Sequence, residues 1–322
     1  KTMSRSLGAV NPTLRVERPR MPTVDIQIAD RLPEPVAVPS AKTFGKFKIP
    51  LRTMLLLNIA MGFFHSGLVA VTLAIGTLDL EIPIYSTNLS FVPNMNATSG
   101  APAFELVPVY HELSFGLPLT WLVACFFLAS AVAHFGNATL WRRYYEANLA
   151  ICRVPSRFIE YFFSASIMIL ILAYNAGVRG YLLLFAITML VATTMPYGYL
   201  TELIAKPDFE KDEWINSRSE RLVAYWLGNI PQIAAWLIIL IGFYDQTYEG
   251  ENGPPDFVYA IIWSELVFFF SFGGVQLWQQ CVRPSRYWRG EVAYQLLRLL
   301  AKGVLGSILT FNVLMLSNLA DT

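Results

Sequence analysis

One lysine in the middle of an apolar segment needs a chemical explanation. Lys302 lies within EVAYQLLRLLAKGVLGSILTFN, a stretch long and apolar enough to span a membrane. A charged ammonium at mid-bilayer costs from a few to roughly ten or more kcal/mol, so an intramembrane lysine is expected to be functional. Three explanations are open: a buried ion pair, a position on a substrate or ion pathway, or condensation with an aldehyde. The third is chemically reasonable because burial favours the neutral, nucleophilic amine.

Glu160 is the carboxylate expected to face Lys302. Each residue lies 12 positions into its predicted helix from the same membrane face, and at about 1.5 Å per residue both are about 18 Å deep. The pair is either a structural ion pair or a protonated Schiff base with its counter-ion. Ser164, one helical turn after Glu160, is expected beside the carboxylate.

Two histidines occupy the same half of the predicted bundle. His65 lies in the first apolar span, and His134 lies within two turns of the inner end of the second. A lone histidine on an apolar helix is usually a satisfied core residue. Two of them near the same depth favour a proton-sharing network, because histidine titrates near neutrality.

Arg298 lies one turn before Lys302 on the same helix face. A permanent cation there disfavours a protonated Schiff base unless carboxylates compensate, and Glu160 and Glu265 are the candidates. Alternatively, the Arg298 side chain extends to the inner membrane surface.

Bulky and kinked residues cluster at a matching depth in the fourth, fifth and sixth spans. Ordinary membrane-core packing explains most of them, but a flat polyene would also need such walls. The predicted walls are Met195, Trp226, Asn229, Pro231, Phe269 and Phe272.

The composition indicates a polytopic protein of the lipid bilayer. Of the 322 residues, 55% are hydrophobic and 15% are charged, and the net charge is +1. This balance argues against a nucleic-acid partner. The three cysteines lie in or beside apolar segments and are predicted to be core residues. We find no nucleophile–base pair, metal-ligand spacing or phosphate loop in the sequence, so we predict that the protein is not an enzyme.

The apolar pattern predicts an all-α bundle of seven membrane helices. Residues 1–49 are predicted to be a disordered, Pro-rich tail and residues 50–318 the bundle. A long loop, 77–114, follows the first span, and its alternating pattern predicts a short β-hairpin. The predicted spans cover about 51–76, 115–141, 148–175, 180–204, 218–243, 256–280 and 290–316.

Lys and Arg are distributed unequally between the two ends of the spans. With the N-terminus inside, 21 of the 24 lie in or beside inner segments, and only Arg179 lies outside. The N-terminus is therefore predicted to be cytoplasmic and the C-terminus extracellular. Asn88 and Asn96 match the glycosylation sequon, which agrees with an outer position for the long loop; the match at Asn137 falls at a helix end and is attributed to chance.

Several segments resemble the heliorhodopsins, the retinal proteins of inverted topology. RFIEYFFSASIM, around Glu160, is similar to the family signature Arg-x-x-Glu-Tyr-x-x-Ser-x-Ser. YWLGNIPQIAAW, PPDFVYAIIWSELVFFFSFGGVQLW and LLAKGVLG are similar to the family's fifth and sixth helices and its retinal-lysine segment. The resemblance covers about residue 51 to the C-terminus and agrees with the predicted orientation.

The resemblance implies a light sensor that carries all-trans retinal on Lys302, with Glu160 as counter-ion. His65 and His134 would belong to the polar network, and light would drive a slow photocycle. It also implies a seven-helix, rhodopsin-like fold and a homodimer in which the long loop reaches across. The downstream cytoplasmic partner is unknown.

The chain departs from the family pattern at two positions. Phe162 stands where a serine commonly follows the Glu-Tyr pair, and Arg298 replaces a serine one turn before the lysine. The first makes the counter-ion surroundings more apolar, and the second places a cation beside the Schiff base. Two alternatives stay open: a light-gated proton or ion channel with Glu265 on the path, and a non-photic scaffold.

Overall fold

The computed structural model describes residues 49–93, 104–248 and 253–314. The predicted tail, up to residue 48, and the sequon at Asn96 lie outside the described residues. Within them, seven helices are long and apolar enough to cross a membrane. The prediction of an all-α seven-helix membrane protein is confirmed. The spans are α1 (Leu51–Ile75), α2 (Leu119–Ala138), α4 (Pro155–Asn175), α5 (Tyr181–Ile204), α6 (Arg218–Tyr248), α7 (Asp256–Cys281) and α8 (Tyr287–Leu309); α8 ends in a π-helical turn, Thr310–Leu314.

The membrane helices pack mainly against the membrane helices next to them in the chain. The closest pairs are α1 with α2, α2 with α4, α4 with α5, α5 with α6 and α7 with α8. Gly306 of α8 lies directly against the Phe127 ring of α2, where a Cβ atom would overlap the ring. This glycine therefore sets how closely α8 approaches α2.

The connection between the second and third spans differs from the prediction. The second span, α2, ends at Ala138 instead of residue 141, and a separate short helix, α3 (Arg142–Ala150), follows it. The third span begins only at Pro155, not at residue 148. Two features interrupt the helix. Cys152 has a positive φ of 60°. Pro155 has no backbone N–H, which suits the first turn of a new helix.

The short helix α3 closes one end of the bundle, called here the α3 end. Tyr145 and Leu149 of α3 join a buried apolar cluster with Met54 of α1 and Tyr287 of α8. Cys152 belongs to the same cluster, and burial raises the pKa of its thiol well above the usual range. It is therefore a neutral core residue.

The predicted β-hairpin is present at the opposite, hairpin end. Strands β2 (Tyr85–Pro93) and β3 (Phe104–Glu112) pair antiparallel, with Phe91 opposite Leu106. At the base of the hairpin, β1 (Glu81–Ile82) pairs with β4 (Leu117–Pro118), and a small pair, β5 (Pro207–Asp208) with β6 (Glu213–Trp214), follows α5. One face of the hairpin presents exposed apolar side chains, including Phe91 and Leu106. Asn88 is exposed on the other face because neighbouring strand residues alternate in direction.

Candidate functional site

Three helices bring polar groups to the amine of Lys302. The lysine, on α8, is 3% exposed. Its Nζ atom donates to Glu160 Oε1 at 2.5 Å and to Ser164 Oγ at 2.7 Å, both on α4, and to Ser130 Oγ on α2. Both serine hydroxyls donate in turn to the same Oε1 atom, at 2.6 and 2.8 Å. The amine, two hydroxyls and one carboxylate oxygen thus form a closed hydrogen-bonded cluster.

The structure brings Lys302, Glu160 and Ser164 together, but the depth count that predicted the pair began at the wrong residue. Glu160 lies in the second turn of α4, because α4 begins at Pro155. The carboxylate still reaches the lysine because α4 is already buried in its first turn, at Pro155 and Arg157. Ser130 was missed, although its position one turn before His134 on α2 placed it on the same helix face.

Arg298 points into the bundle, so of the two alternatives for its side chain, extension to the membrane surface is wrong. It is 2% exposed, and its Nε atom lies 3.4 Å from Glu160 Oε2. Its guanidinium lies 4.9 Å from the centroid of the Tyr161 ring. Glu160 therefore faces two cations, one on each carboxylate oxygen.

His134 links Arg298 to α1. Its Nε2 atom lies 2.8 Å from Arg298 Nη1, and its Nδ1 atom lies 2.9 Å from Asn58 Oδ1. Asn58 Nδ2 donates to the backbone oxygen of Met54, which fixes the orientation of the amide. Because Arg298 can only donate and Asn58 Oδ1 can only accept, His134 is the neutral tautomer that carries its proton on Nδ1.

His65 lies beside this network without joining its hydrogen bonds. Its ring stacks on that of His134, with centroids 5.6 Å apart and planes 12° apart. Neither ring nitrogen has a hydrogen-bond partner among the described residues. The two predicted histidines are therefore adjacent, but only His134 is bonded to the Glu160 and Arg298 group.

Glu265 does not compensate Arg298, contrary to the prediction. It is fully buried on α7, and within the described parts of the chain neither carboxylate oxygen has a hydrogen-bond partner. Phe269, one turn later, packs against Trp236 of α6. Glu265 therefore lies on the α6 side of the bundle, away from the arginine.

An apolar cavity extends from Lys302 between α4, α5, α6, α7 and α8. It encloses about 890 Å³ of space outside protein atoms, part of it open to the surface. Of the predicted walls, Met195, Asn229, Phe269 and Phe272 line it. Further lining residues that the sequence did not indicate are Tyr161, Met168, Tyr225, Gln232, Gln276 and Tyr294.

Two predicted wall residues of α6 lie elsewhere. Trp226 is 59% exposed on the outer surface, and Pro231 is not among the residues that line the cavity. The lining face of α6 consists of Tyr225, Gly228, Asn229 and Gln232. These residues follow the three- and four-residue spacing of one helix face, and Trp226 is rotated away from it. The helical spacing of the polar residues Tyr225, Asn229 and Gln232 was therefore the feature of the sequence that indicated the cavity-lining face of α6.

A second cavity lies between α2 and α4 and opens on the outer surface of the bundle. Apart from Glu160, its lining is almost entirely apolar or aromatic and includes the exposed residues Val132, Ile159 and Phe163. We call this opening the lateral groove. Glu160 thus separates the buried Lys302 amine from a groove that faces the lipid.

The Lys302 amine, the adjacent carboxylate and the apolar cavity together suit an aldehyde with a long apolar tail. An amine can condense with an aldehyde, and the adjacent carboxylate stabilises the positive charge of a protonated product. Aromatic and aliphatic walls accept a conjugated chain. The residues present therefore fit retinal.

The chain matches a known protein family over most of its length. The family model described as Heliorhodopsin matches residues 54–314. Among solved structures, the chain is similar to the light-driven proton pump LR (Mac) from Leptosphaeria maculans, at 12% identity and a TM-score of 0.42. This match covers 88% of this chain and 98% of that one. A search of curated proteins found no match.

Proposed function

The chain belongs to the heliorhodopsin family of retinal-binding rhodopsins, and from this premise we propose that it is a light sensor in which Lys302 carries all-trans retinal as a protonated Schiff base. The observation that carries the proposal is the buried Lys302 amine, with Glu160 at 2.5 Å and the apolar cavity beside it. When bound, retinal supplies absorption of visible light and a double bond that isomerises.

The residues around Lys302 hold a positive charge on its nitrogen. Glu160 Oε1 supplies the negative charge, and Ser130 and Ser164 orient that oxygen by donating to it. Burial strengthens this attraction because few water dipoles screen it. The same three oxygens are the nearest acceptors for a proton that leaves the nitrogen. His134 and His65 lie next to this group and would respond to its change in charge.

The proposal includes a cytoplasmic N-terminus, an extracellular C-terminus and a homodimer. The distribution of Lys and Arg supports the orientation. The exposed apolar face of the hairpin, with Phe91 and Leu106, supports a dimer contact there. A signalling role requires a partner, and we propose that it binds on the cytoplasmic side.

The test is an absorption spectrum of the protein purified with added all-trans retinal. We expect a visible band in the parent protein and in Lys206→Ala, and its loss in Lys302→Ala. A titration should convert this band to a near-ultraviolet one at alkaline pH, when the nitrogen loses its proton.

Two other outcomes would change the conclusion. A near-ultraviolet band at neutral pH would mean that Arg298 outweighs Glu160 and that the resting nitrogen is unprotonated. The absence of any Lys302-dependent band would overturn the photoreceptor proposal and leave the non-photic scaffold, with Lys302 and Glu160 as a structural ion pair.

A further inference from the structure

A second buried ionic cluster lies between the Lys302 site and the α3 end. Arg157 of α4 is 1% exposed, and its Nη1 atom donates to Glu291 Oε2 of α8 at 2.6 Å. Its Nη2 atom forms an ion pair with Glu202 of α5. Both carboxylates are fully buried or nearly so. We call these three residues the Arg157 cluster.

The hydrogen bonds indicate that both carboxylates of the Arg157 cluster are ionised. Glu202 accepts from Arg157, from the Tyr287 hydroxyl and, at 2.9 Å, from the backbone N–H of Val154. Each of these contacts uses Glu202 as an acceptor, which is the role of an ionised carboxylate. Glu291 faces the Arg157 guanidinium and, at 3.5 Å, the Tyr145 hydroxyl.

The Arg157 cluster therefore has one negative charge in excess. Two carboxylates face one guanidinium, and the surrounding phenols add no charge. Burial and the neighbouring Glu291 raise the pKa of Tyr145 well above its usual range, so its hydroxyl stays neutral. An unbalanced charge in a buried site is costly unless an opposite charge lies near.

The Lys302 site has the opposite imbalance. Lys302 and Arg298 are two cations, and Glu160 is the one carboxylate that forms ion pairs with them among the described residues. His134 does not offset the excess, because it is neutral in the tautomer described above. The two buried groups together contain three cations and three carboxylates.

We propose that Glu291, with Glu202, supplies the negative charge that balances Arg298, so that Glu160 stays available to the cation on Lys302. This inference rests on the proposed function. Glu291 and Glu202 are then positioning residues for the chromophore, and they act through Arg298.

The geometry of α8 supports the coupling. Glu291 and Arg298 are seven residues apart, which is about two turns and roughly 10 Å along one helix face. Aromatic rings fill the space between the two groups. The Tyr161 ring packs against the Arg298 guanidinium. The centroid of the Tyr294 ring lies 3.8 Å from the Arg157 guanidinium carbon. The centroids of these two rings are 6.4 Å apart. Such a path screens charge much less than water does.

The other titratable groups that face the two sites do not supply the negative charge that Glu291 and Glu202 provide. The histidines are held without a carboxylate partner in the described residues, and phenols are neutral at neutral pH. These groups are His65 (α1), His134 (α2), Tyr145 (α3), Tyr161 (α4), Tyr225 (α6), and Tyr287 and Tyr294 (α8). Glu265 (α7) lies on the α6 side of the bundle, and neither of its oxygens has a hydrogen-bond partner in the described residues.

The first test uses the variant Glu291→Gln and measures the alkaline pH at which its visible band disappears, called here the midpoint. At about 10 Å and an effective dielectric constant of about 20, the attraction between Glu291 and Arg298 corresponds to about one pH unit, which is the upper limit of the fall in midpoint expected when its loss leaves Arg298 to Glu160 alone. Arg298→Ser should raise the midpoint. In the Arg298→Ser background, Glu291→Gln should have little further effect. The control is Glu146→Gln on α3, which removes a carboxylate paired with Arg142 at the surface.

The second test uses the protein without retinal. Formaldehyde and cyanoborohydride methylate only the neutral amine, so mass spectrometry of the Lys302 peptide gives a midpoint for its deprotonation. Glu291→Gln should lower this midpoint as well. Since this assay does not depend on a chromophore, it distinguishes failure of the present inference from failure of the photoreceptor proposal.

The inference would be overturned by unchanged midpoints in Glu291→Gln, even if its melting temperature falls, because Glu291 would then be only a structural partner of Arg157. An equal shift with and without Arg298 would also overturn it. If Glu291→Gln does not fold, Glu202→Gln is measured in both assays instead, because it also removes one negative charge from the Arg157 cluster.

Discussion

At the scale of single residues, the two carboxylate oxygens of Glu160 have different partners. Glu160 Oε1 accepts from Lys302, Ser130 and Ser164, whereas Oε2 faces Arg298. In the proposed photoreceptor the two serines are part of the counter-ion, because they orient the oxygen that faces the lysine.

Replacement of Ser130 by alanine tests this role. Its hydroxyl accepts from Lys302 and donates to Glu160, so its loss should disfavour the charged pair. A hydrogen bond to a charged group contributes about 1.5–3 kcal/mol. The alkaline midpoint of the visible band should therefore fall by about one pH unit or more. Ser166→Ala is the control, since the Ser166 hydroxyl bonds the Phe162 carbonyl of its own helix. Equal midpoints in the two variants would contradict the role of Ser130.

The sequence could indicate some of these residues but not others. Lys302 and Glu160 stand out because charges are costly in apolar helices. Ser130 gives no such signal, since serine commonly bonds to its own helix backbone. The direction of Arg298 depends on partners from α2 and α4, which only tertiary packing brings to it.

At the scale of helices and strands, hydropathy predicts where a helix lies better than how it is rotated or where it begins. The two misplaced walls of α6 are an error of rotation, because every face of that helix is largely apolar and only the polar spacing marks the inner one. The start of α4 was misplaced because α3 continues the helical pattern until Cys152 and Pro155 interrupt it.

Two glycines of α8 offer a matched test of helix packing. Gly306→Ala places a methyl group into the Phe127 ring, whereas the nearest atom to a Cβ at Gly303 is 3.9 Å away. We expect Gly306→Ala to lower the free energy of unfolding by about 1–3 kcal/mol, as overpacking does. Gly303→Ala should be neutral or slightly stabilising, because alanine favours helix. Thermal melts in one detergent give the comparison, and a Gly306→Ala protein as stable as the parent would show that α8 can move away from α2.

At the scale of the whole molecule, the seven spans could be predicted because lipid requires each backbone polar group to bond internally, and the hairpin could be predicted from its alternating pattern. The lining of the cavity and the two ionic groups could not, because five helices line the cavity and three helices contribute to each ionic group. The alternative expectation, a light-gated conductance, needs a polar path that joins Glu160, Arg298 and Glu265. In the described parts of the chain, no hydrogen bond or ion pair joins Glu265 to the other two.

Voltage-clamp recording tests this alternative. We expect no steady photocurrent at any voltage, because the buried cations are held by carboxylates within the bundle. We expect Glu265→Gln to leave the visible band unchanged. A steady current that disappears in Glu265→Gln, with Glu146→Gln as the control, would establish conduction and place Glu265 on its path.

The lateral groove between α2 and α4 has a practical consequence. Glu160 borders it, so an acyl chain or a detergent tail in the groove becomes part of the solvent around the counter-ion. Replacing one amphiphile by another changes the local polarizability without changing any residue. In the proposed photoreceptor, the colour therefore depends on both the polypeptide and its lipid, and spectra of variants are comparable only when all are recorded in the same bilayer or micelle.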